Sequence, residues 1–294
     1  MQEQPDAGDR GGLPADAEAS RWRGVAGRAW VFLAVLFGLI ALWEGYRAFG
    51  VAVHLTWPFP VNDNTMPHIY DMVAQLFKPS RRNGPLLLHV LTDAAIYTAR
   101  SAFVGFLIGA AAGFALGVLF AHSRLLERGL LPFVVASQTI PILAIAPMIV
   151  IWLKAGWFSV AVIASYLTFF PVTINTLRGL RSADPRAHEL MRSYAASKWE
   201  VLWRLRVPAG LPFLFAALKV SATASVVGAI IAEPPASIQD GLGGAIVNFN
   251  QYYLTSPPSL WATIIVAAVL GILFFGLVAL AEHLVVRRGP GRAA

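Results

Sequence analysis

Five stretches of the chain are almost free of charged residues, and each is long enough to cross a membrane. Four contain no Asp, Glu, Lys or Arg: 101–122, 129–152, 155–177 and 260–281. The fifth, 207–232, is interrupted only by Lys219, and a shorter run over 29–43 continues past Glu44 and Arg47 to residue 53. Spanning the hydrocarbon core takes about 20 apolar residues. The pattern therefore predicts an all-α membrane protein with six transmembrane helices.

These runs also predict how the chain is organised. We expect a disordered cytoplasmic tail over 1–27, a first transmembrane helix over 28–53 and a polar external segment over 54–94. A transmembrane core then covers 95–288 and is followed by a short cytoplasmic tail over 289–294. The helices of this core are expected at about 98–122, 129–153, 155–178, 207–232 and 260–285.

Composition and charge agree with this class of protein. Hydrophobic residues make up 57% of the chain and charged residues 13%, against about 45–50% and 25% in soluble domains. With the N-terminus inside, 16 of the 23 Lys and Arg residues fall on cytoplasmic segments and four on external ones. This asymmetry predicts that both termini are cytoplasmic. It accounts for the net charge of +7 without nucleic acid, and the absence of cysteine excludes disulfides and thiolate metal sites.

Two sets of residues inside the predicted spans are candidates for packing and for transport. Glycines recur at every fourth position of the second helix and share one face, which predicts close approach of another helix: Gly105, Gly109, Gly113 and Gly117. Polar residues and a proline within helices three to five predict a translocation pathway, with interhelical hydrogen bonds as the alternative for each of them. This second set is Gln138, Thr139, Pro141, Asn175, Lys219 and Ser225.

Lys219 is the only charged residue within its span and lies about 15 Å along the helix from residue 209. Its ammonium group either faces the pathway or extends back towards the cytoplasmic surface. No acidic residue is expected at a comparable depth. If Lys219 faces the pathway, an anionic or neutral solute therefore suits it better than a cation.

The segment 187–205 combines charges with large apolar side chains between two predicted spans. Its polar and apolar residues recur at three- and four-residue steps, which predicts one amphipathic helix that ends at Pro208. Such a helix can lie on the bilayer, pack on its own bundle or dock in a groove of a cytoplasmic partner. The polar stripe is Glu189, Arg192, Ser193, Ser197, Glu200 and Arg204, and the apolar stripe contains Met191, Tyr194, Ala195, Leu202 and Leu205.

Four motifs in order resemble the inner-membrane permease subunit of binding-protein-dependent ABC importers, in the branch that imports nitrate, sulfonates, taurine and some vitamin precursors. They are "ERGLLPFVVASQTIPILAIAPMIVIW", "FFPVTINTLRGLRSADP", "SYAASKWEVLWRLRVPAGLP" and "AEPPASIQDGLGGAI", within roughly residues 86–288. The third resembles the cytoplasmic coupling loop of that family. Ala195 stands where the family has glycine, which suggests a straighter helix at this point.

The resemblance implies a type I importer permease bundle in a bacterial plasma membrane, with a cytoplasmic coupling helix that contacts an ATPase. Residues matched to the coupling loop are Tyr194, Ala195, Ala196, Ser197, Glu200 and Pro208. The implied partners are two ABC ATP-binding subunits, a periplasmic or lipid-anchored solute-binding protein and a second permease chain, expected to be identical to the first. ATP and Mg²⁺ are expected on the ATPase, because these 294 residues contain no G-x-x-x-x-G-K-[ST]. No catalytic residue, metal site or cofactor is expected in this chain.

Two questions stay open at the level of sequence. The loop 233–259 is expected either to contact the binding protein or to pack on its own bundle. An ion-coupled secondary transporter is the alternative function and predicts buried acidic residues or a proton relay. Glu44, Glu233 and Glu282 all lie at the ends of predicted helices, which disfavours that alternative.

Overall fold

The computed structural model describes residues 15–55, 60–81 and 84–287. Residues 1–14, which begin the predicted cytoplasmic tail, and the tail predicted over 289–294 lie outside these ranges. Within them the secondary structure is helical apart from one isolated β-bridge between Pro79 and Leu86. The helices are α1 Ala15–Ala52, α2 Ile69–Gln75, α3 Leu87–His122, α4 Arg124–Ser137, α5 Ile142–Leu153, α6 Trp157–Arg181, α7 Pro185–Ser193, α8 Lys198–Val201, α9 Val207–Ala232, α10 Leu242–Gln251 and α11 Pro257–Arg287.

Five helices in the described part of the chain are long and apolar enough to cross a membrane, or six if a bent pair counts as one span. This agrees with the six predicted spans, but the bounds differ. Helix α1 begins at Ala15, so residues 15–27 are helical where a disordered tail was expected. Helix α3 begins at Leu87, about a dozen residues earlier than predicted.

The bent pair is the third predicted span, which the structure divides into α4 and α5. Their axes differ by 99°, so one straight helix over 129–153 was a wrong prediction. Pro141 begins the second arm with an extended backbone, φ −60° and ψ 124°. A proline lacks the N–H of a helical hydrogen bond and disfavours helical geometry in the preceding residue. Tyr166 of α6 donates its hydroxyl proton to the carbonyl of Ser137 at this break.

The chain divides into two compact units, residues 1–71 and 72–294. In the first unit, the segment that follows α1 folds back on the end of that helix. Arg47 donates from Nε to the Met66 carbonyl (2.8 Å) and also pairs with Asp63. The carboxylate of Glu44 accepts the Ile69 N–H (2.9 Å) and contacts Nδ1 of His68 (2.7 Å). These contacts attach the segment predicted to be external to the helix that precedes it.

In the second unit, α3, α6 and α9 form the centre of the bundle. The four glycines of α3 are buried and face α6. A Cβ atom on Gly109 would lie 2.4 Å from the carbonyl oxygen of Ser165, and one on Gly105 would lie 2.4 Å from that of Ala161. Only glycine allows the two backbones to approach this closely. Helices α6 and α9 also make a close contact, where a Cβ on Gly179 would lie 3.0 Å from Gly210.

Candidate functional site

The segment predicted as one coupling helix is two helices joined by a tight turn. Helix α7 ends at Ser193, and α8 begins at Lys198. Ala195 between them has φ +52°, a left-handed conformation that alanine rarely adopts. The predicted continuous helix over 187–205 was therefore wrong. Its polar residues do not share the face of a single helix.

The turn after α7 is a Schellman motif. The Ala195 N–H donates to the Arg192 carbonyl (3.0 Å), and the Ala196 N–H donates to the Met191 carbonyl (3.0 Å). This motif places a left-handed residue, usually glycine, directly after the helix. Ala195 occupies that position. The expectation that an alanine here gives a straighter helix was wrong, because this alanine adopts the turn conformation.

Helix α8 starts with a capping box between Ser197 and Glu200. The Glu200 N–H donates to the Ser197 hydroxyl oxygen (3.2 Å), and the Ser197 N–H donates to the Glu200 carboxylate (2.9 Å). The Glu200 side chain thus satisfies a backbone group that the new helix would otherwise leave unpaired. Both sides of the turn are fixed by local hydrogen bonds, and Tyr194 at its tip is 76% exposed.

Helix α8 continues without a break into α9. A π-helical turn covers Leu202–Arg206, and the Val207 N–H donates to the carbonyl of Leu202. Pro208 lies in the first turn of α9, and Pro212 lies inside that helix. The prediction that the cytoplasmic helix ends at Pro208 was therefore wrong. The turn is therefore joined to a helix of the bundle by continuous helical backbone.

The pathway candidates fall in different environments. Gln138, Thr139 and Pro141 are exposed at the 99° break between α4 and α5. Asn175 donates from Nδ2 to the carbonyl of Pro171 in its own helix (2.8 Å). Ser225 is fully buried and donates to the Ala222 carbonyl (2.8 Å). The structure thus brings the first three together and does not place Ser225 on an open path.

Lys219 forms an ion pair across two helices. Its Nζ lies 2.7 Å from Oε2 of Glu282 on α11, and both side chains are about three-quarters buried. The expectation that no acidic residue lies at a comparable depth was wrong, because Glu282 lies far along the sequence but beside Lys219 in the bundle. A paired lysine gives no reason to prefer an anionic solute over a cation.

A buried carboxylate at the other end of α9 was not found from the sequence. Glu233 is completely buried. Its Oε1 accepts the Thr98 hydroxyl proton (2.6 Å), and its Oε2 accepts the Gly243 N–H (2.6 Å). Thr98 in turn accepts the Leu242 N–H (2.9 Å). Burial raises the pKa of Glu233 above its ordinary value, while the hydrogen bonds from Thr98 and Gly243 act in the opposite direction.

The glycines of "QDGLGG" fold over this carboxylate. A Cβ atom on Gly241 would lie 2.3 Å from Cδ of Glu233, and one on Gly243 would lie 2.2 Å from the carbonyl oxygen of Ile230. Two expectations were open for the loop 233–259. The part of the loop that contains these glycines packs on its own bundle. Tyr252, at the far end of α10, is 60% exposed and leaves that end open to contacts. The sequence signal that could have indicated this buried carboxylate is Glu233 followed by the closely spaced glycines of "QDGLGG".

The described chain is thus an all-helical protein with several membrane-spanning helices and a structured turn between two of them. A family model described as "Binding-protein-dependent transport system inner membrane component" matches residues 105–287. The chain belongs to this family and is an ABC importer permease, a transport subunit and not an enzyme.

Curated relatives of the chain are named for the transport of different substrates. The formylaminopyrimidine transport permease protein ThiX of Halalkalibacterium halodurans is 33% identical over 62% of this chain and 71% of its own length. The riboflavin transport system permease protein RibX of Chloroflexus aurantiacus is 34% identical over 57% and 61%. The putative aliphatic sulfonates transport permease protein SsuC of Bacillus subtilis is 29% identical over 83% and 82%. Among solved structures, an amino acid ABC transporter with histidines gives a TM-score of 0.45 at 17% identity, over 67% of this chain and 94% of that one.

Proposed function

We propose that this permease belongs to an ATP-driven importer in which a separate ATP-binding subunit docks on the turn between α7 and α8. The observation that carries the proposal is the rigid turn at Ala195, fixed on both sides by hydrogen bonds and joined without a break to α9. A docked element that moves as one body with a transmembrane helix transmits a displacement into the bundle. Tyr194, Ala196 and Ser197 are the proposed contact residues.

The proposed assembly has two ATP-binding subunits, two copies of this chain and one external solute-binding protein. ATP and Mg²⁺ would bind to the ATP-binding subunits. The solute is proposed to be a small molecule of the nitrate, sulfonate or taurine, or vitamin-precursor type. Relatives named for the transport of formylaminopyrimidine, aliphatic sulfonates and nitrate support this proposal. Ligand screening of the binding protein encoded nearest to this chain identifies the solute.

The alternative of an ion-coupled carrier has weaker support. It predicts acidic residues available for protonation inside the bundle. The two candidates, Glu233 and Glu282, each have partners in the described structure: Thr98 and Gly243 for the first, Lys219 for the second. A carboxylate held by such partners has a structural role that does not require ion transport.

Two substitutions of Ala195 test the coupling proposal. The permease is reconstituted with the neighbouring ATP-binding subunit, and ATP hydrolysis stimulated by the solute-loaded binding protein is measured. Ala195→Gly keeps the left-handed turn and should retain full stimulation. Ala195→Val places a β-branched side chain in a conformation that it strongly disfavours, and stimulation should fall at least about tenfold, the effect of about 1.4 kcal/mol.

Both variants change the same residue, so a difference between them reports on the left-handed turn and not on the loss of the alanine itself. Membrane insertion of each is checked by extraction and gel filtration. Stimulated hydrolysis by Ala195→Val equal to that of the wild-type protein would contradict docking at this turn. Failure of the wild-type permease to support any stimulated hydrolysis would contradict the ATP-driven importer itself.

A further inference from the structure

A basic cavity and an apolar groove meet where two transmembrane helices end. The cavity has a volume of about 330 Å³, and its lining includes three permanent cations, Arg192, Lys198 and Arg206, and no acidic residue. The groove has a volume of about 410 Å³ and is lined by Ala115, Val118, Leu119, His122, Lys198 and Trp199. His122 and Lys198 line both spaces. One ligand with an anionic end and an apolar end therefore fits the pair.

The position of this pair matches the membrane surface. His122 is the last residue of α3, and Lys198 is the first residue of the continuous helix formed by α8 and α9. His122 also ends the span predicted over 98–122, and the ends of membrane-spanning helices lie at the level of the lipid headgroups; Lys198 lines the same groove as His122. Val118 and Leu119, one turn before the end of α3, extend the groove towards the hydrocarbon.

Two aromatic side chains next to the groove support contact with lipid. The rings of Trp199 and Trp203 are stacked, with centroids 6.5 Å apart, and the side chains are 67% and 55% exposed. Tryptophan is enriched at the boundary between headgroups and hydrocarbon, where its ring is partly apolar and its N–H remains solvated. An exposed pair of this size needs an apolar environment that the described part of the chain does not provide.

The cations of the cavity are available to a ligand. Among the ion pairs of residues 15–55, 60–81 and 84–287, none includes Arg192, Lys198 or Arg206. Arg206 donates from Nη2 to Nε2 of His188 (3.2 Å), a ring nitrogen that orients the guanidinium and carries no negative charge. Grouped positive charges without carboxylates at a membrane surface complement an anionic headgroup.

We propose that this is a binding site for one anionic phospholipid. Its phosphate group lies in the basic cavity between α3, α7 and α8, and the start of one acyl chain lies in the groove beside Trp199. The lipid would fill the space behind the turn at Ala195, where Ala196 contributes to the lining. Tyr194 and Ser197 line neither space and would remain available to the ATP-binding subunit. This inference does not depend on the ATP-binding subunit, because every residue used belongs to this chain.

Fluorescence quenching by brominated lipids tests the site on the full chain in lipid nanodiscs. Brominated phosphatidylglycerol and brominated phosphatidylcholine are compared at equal surface density. The signal of Trp199 is isolated by subtracting the Trp199→Phe variant. We expect phosphatidylglycerol to quench Trp199 preferentially. Removal of one cation by Arg192→Gln or Lys198→Gln should weaken this preference about fivefold.

Matched controls remove exposed arginines that line neither space. One control is Arg186→Gln, at a position on the same helix as Arg192. The other is Arg204→Gln, at a position six residues after Lys198. Both should keep the wild-type preference. The wild-type comparison of the two lipids decides the question even if a variant does not fold.

Three results would overturn the proposal. The first is equal quenching of the wild-type protein by the two lipids. The second is loss of quenching on addition of inorganic phosphate at constant ionic strength, which would assign the cavity to a free anion. The third is quenching that changes with the protein-to-lipid ratio, which would assign the groove to a second copy of the chain.

Discussion

Ala195 holds the turn between α7 and α8. Alanine has the highest helix propensity, and the apolar periodicity continues through position 195, so a straight helix was the reasonable prediction. The structure has a left-handed residue there, which costs an alanine roughly 1–2 kcal/mol. The resemblance placed a glycine at this position, and glycine is the usual residue of this turn. The glycine of the family pattern therefore predicted the backbone conformation at position 195 better than the alanine that this chain has there.

Thr98 and Glu233 form a second residue-level feature, which the sequence did not reveal. The two are 135 positions apart, and no local pattern connects them. Burial of Glu233 requires both the fold of the bundle and the glycines that cover the carboxylate. Interactions of this kind depend on tertiary packing and are not visible in periodicity.

Replacement of Thr98 by valine should destabilise the permease. Valine has a similar shape but neither donates to Glu233 nor accepts the Leu242 N–H. Leaving buried polar groups without partners costs about 1–3 kcal/mol each. The midpoint of thermal unfolding in detergent should therefore fall for Thr98→Val. Thr98→Ser retains the hydroxyl and should remain close to the wild-type protein, and equal midpoints for the two variants would show that the hydroxyl is unimportant.

At the level of elements, runs without charge identified the membrane-spanning helices but not their breaks. The third run contains Pro132, Pro141 and Pro147. Two of them are accommodated inside α4 and α5, and only Pro141 lies at the 99° break. Which proline interrupts a helix depends on contacts with neighbours, here the hydrogen bond from Tyr166 to Ser137. The sequence alone does not contain that information.

The glycine face of α3 gives a prediction at this level. Gly109→Ala adds a methyl group 2.4 Å from the Ser165 carbonyl oxygen, and the α3–α6 pair must separate to admit it. Overpacking of this kind costs about 1–3 kcal/mol. We expect a lower unfolding midpoint and less folded protein on gel filtration.

Gly276→Ala in α11 is the matched control, because nothing lies within 4 Å of a Cβ atom at that position. Its stability should be unchanged. If Gly109→Ala and Gly276→Ala behaved alike, close packing of α3 on α6 would not be what these glycines provide.

For the whole molecule, the distribution of Lys and Arg predicts on which side of the membrane the termini lie. The positions of the helices alone do not determine this. The chain contains no cysteine, so single cysteines introduced at exposed positions report on each side of the membrane. A membrane-impermeant maleimide added to intact cells should label Leu254→Cys. It should label Arg186→Cys only after permeabilisation. The reverse pattern would show that both termini are external.

The continuous helix from Lys198 to Ala232 is about 50 Å long at ~1.5 Å per residue. The turn at Ala195 adjoins one end, and the buried carboxylate of Glu233 adjoins the other. A tilt of a few degrees about its middle moves each end by roughly an ångström or more, in opposite directions. Coupling of binding free energies is reciprocal. A ligand at the Glu233 end that changes the affinity for a partner at the Ala195 end therefore has its own affinity changed by that partner by the same factor.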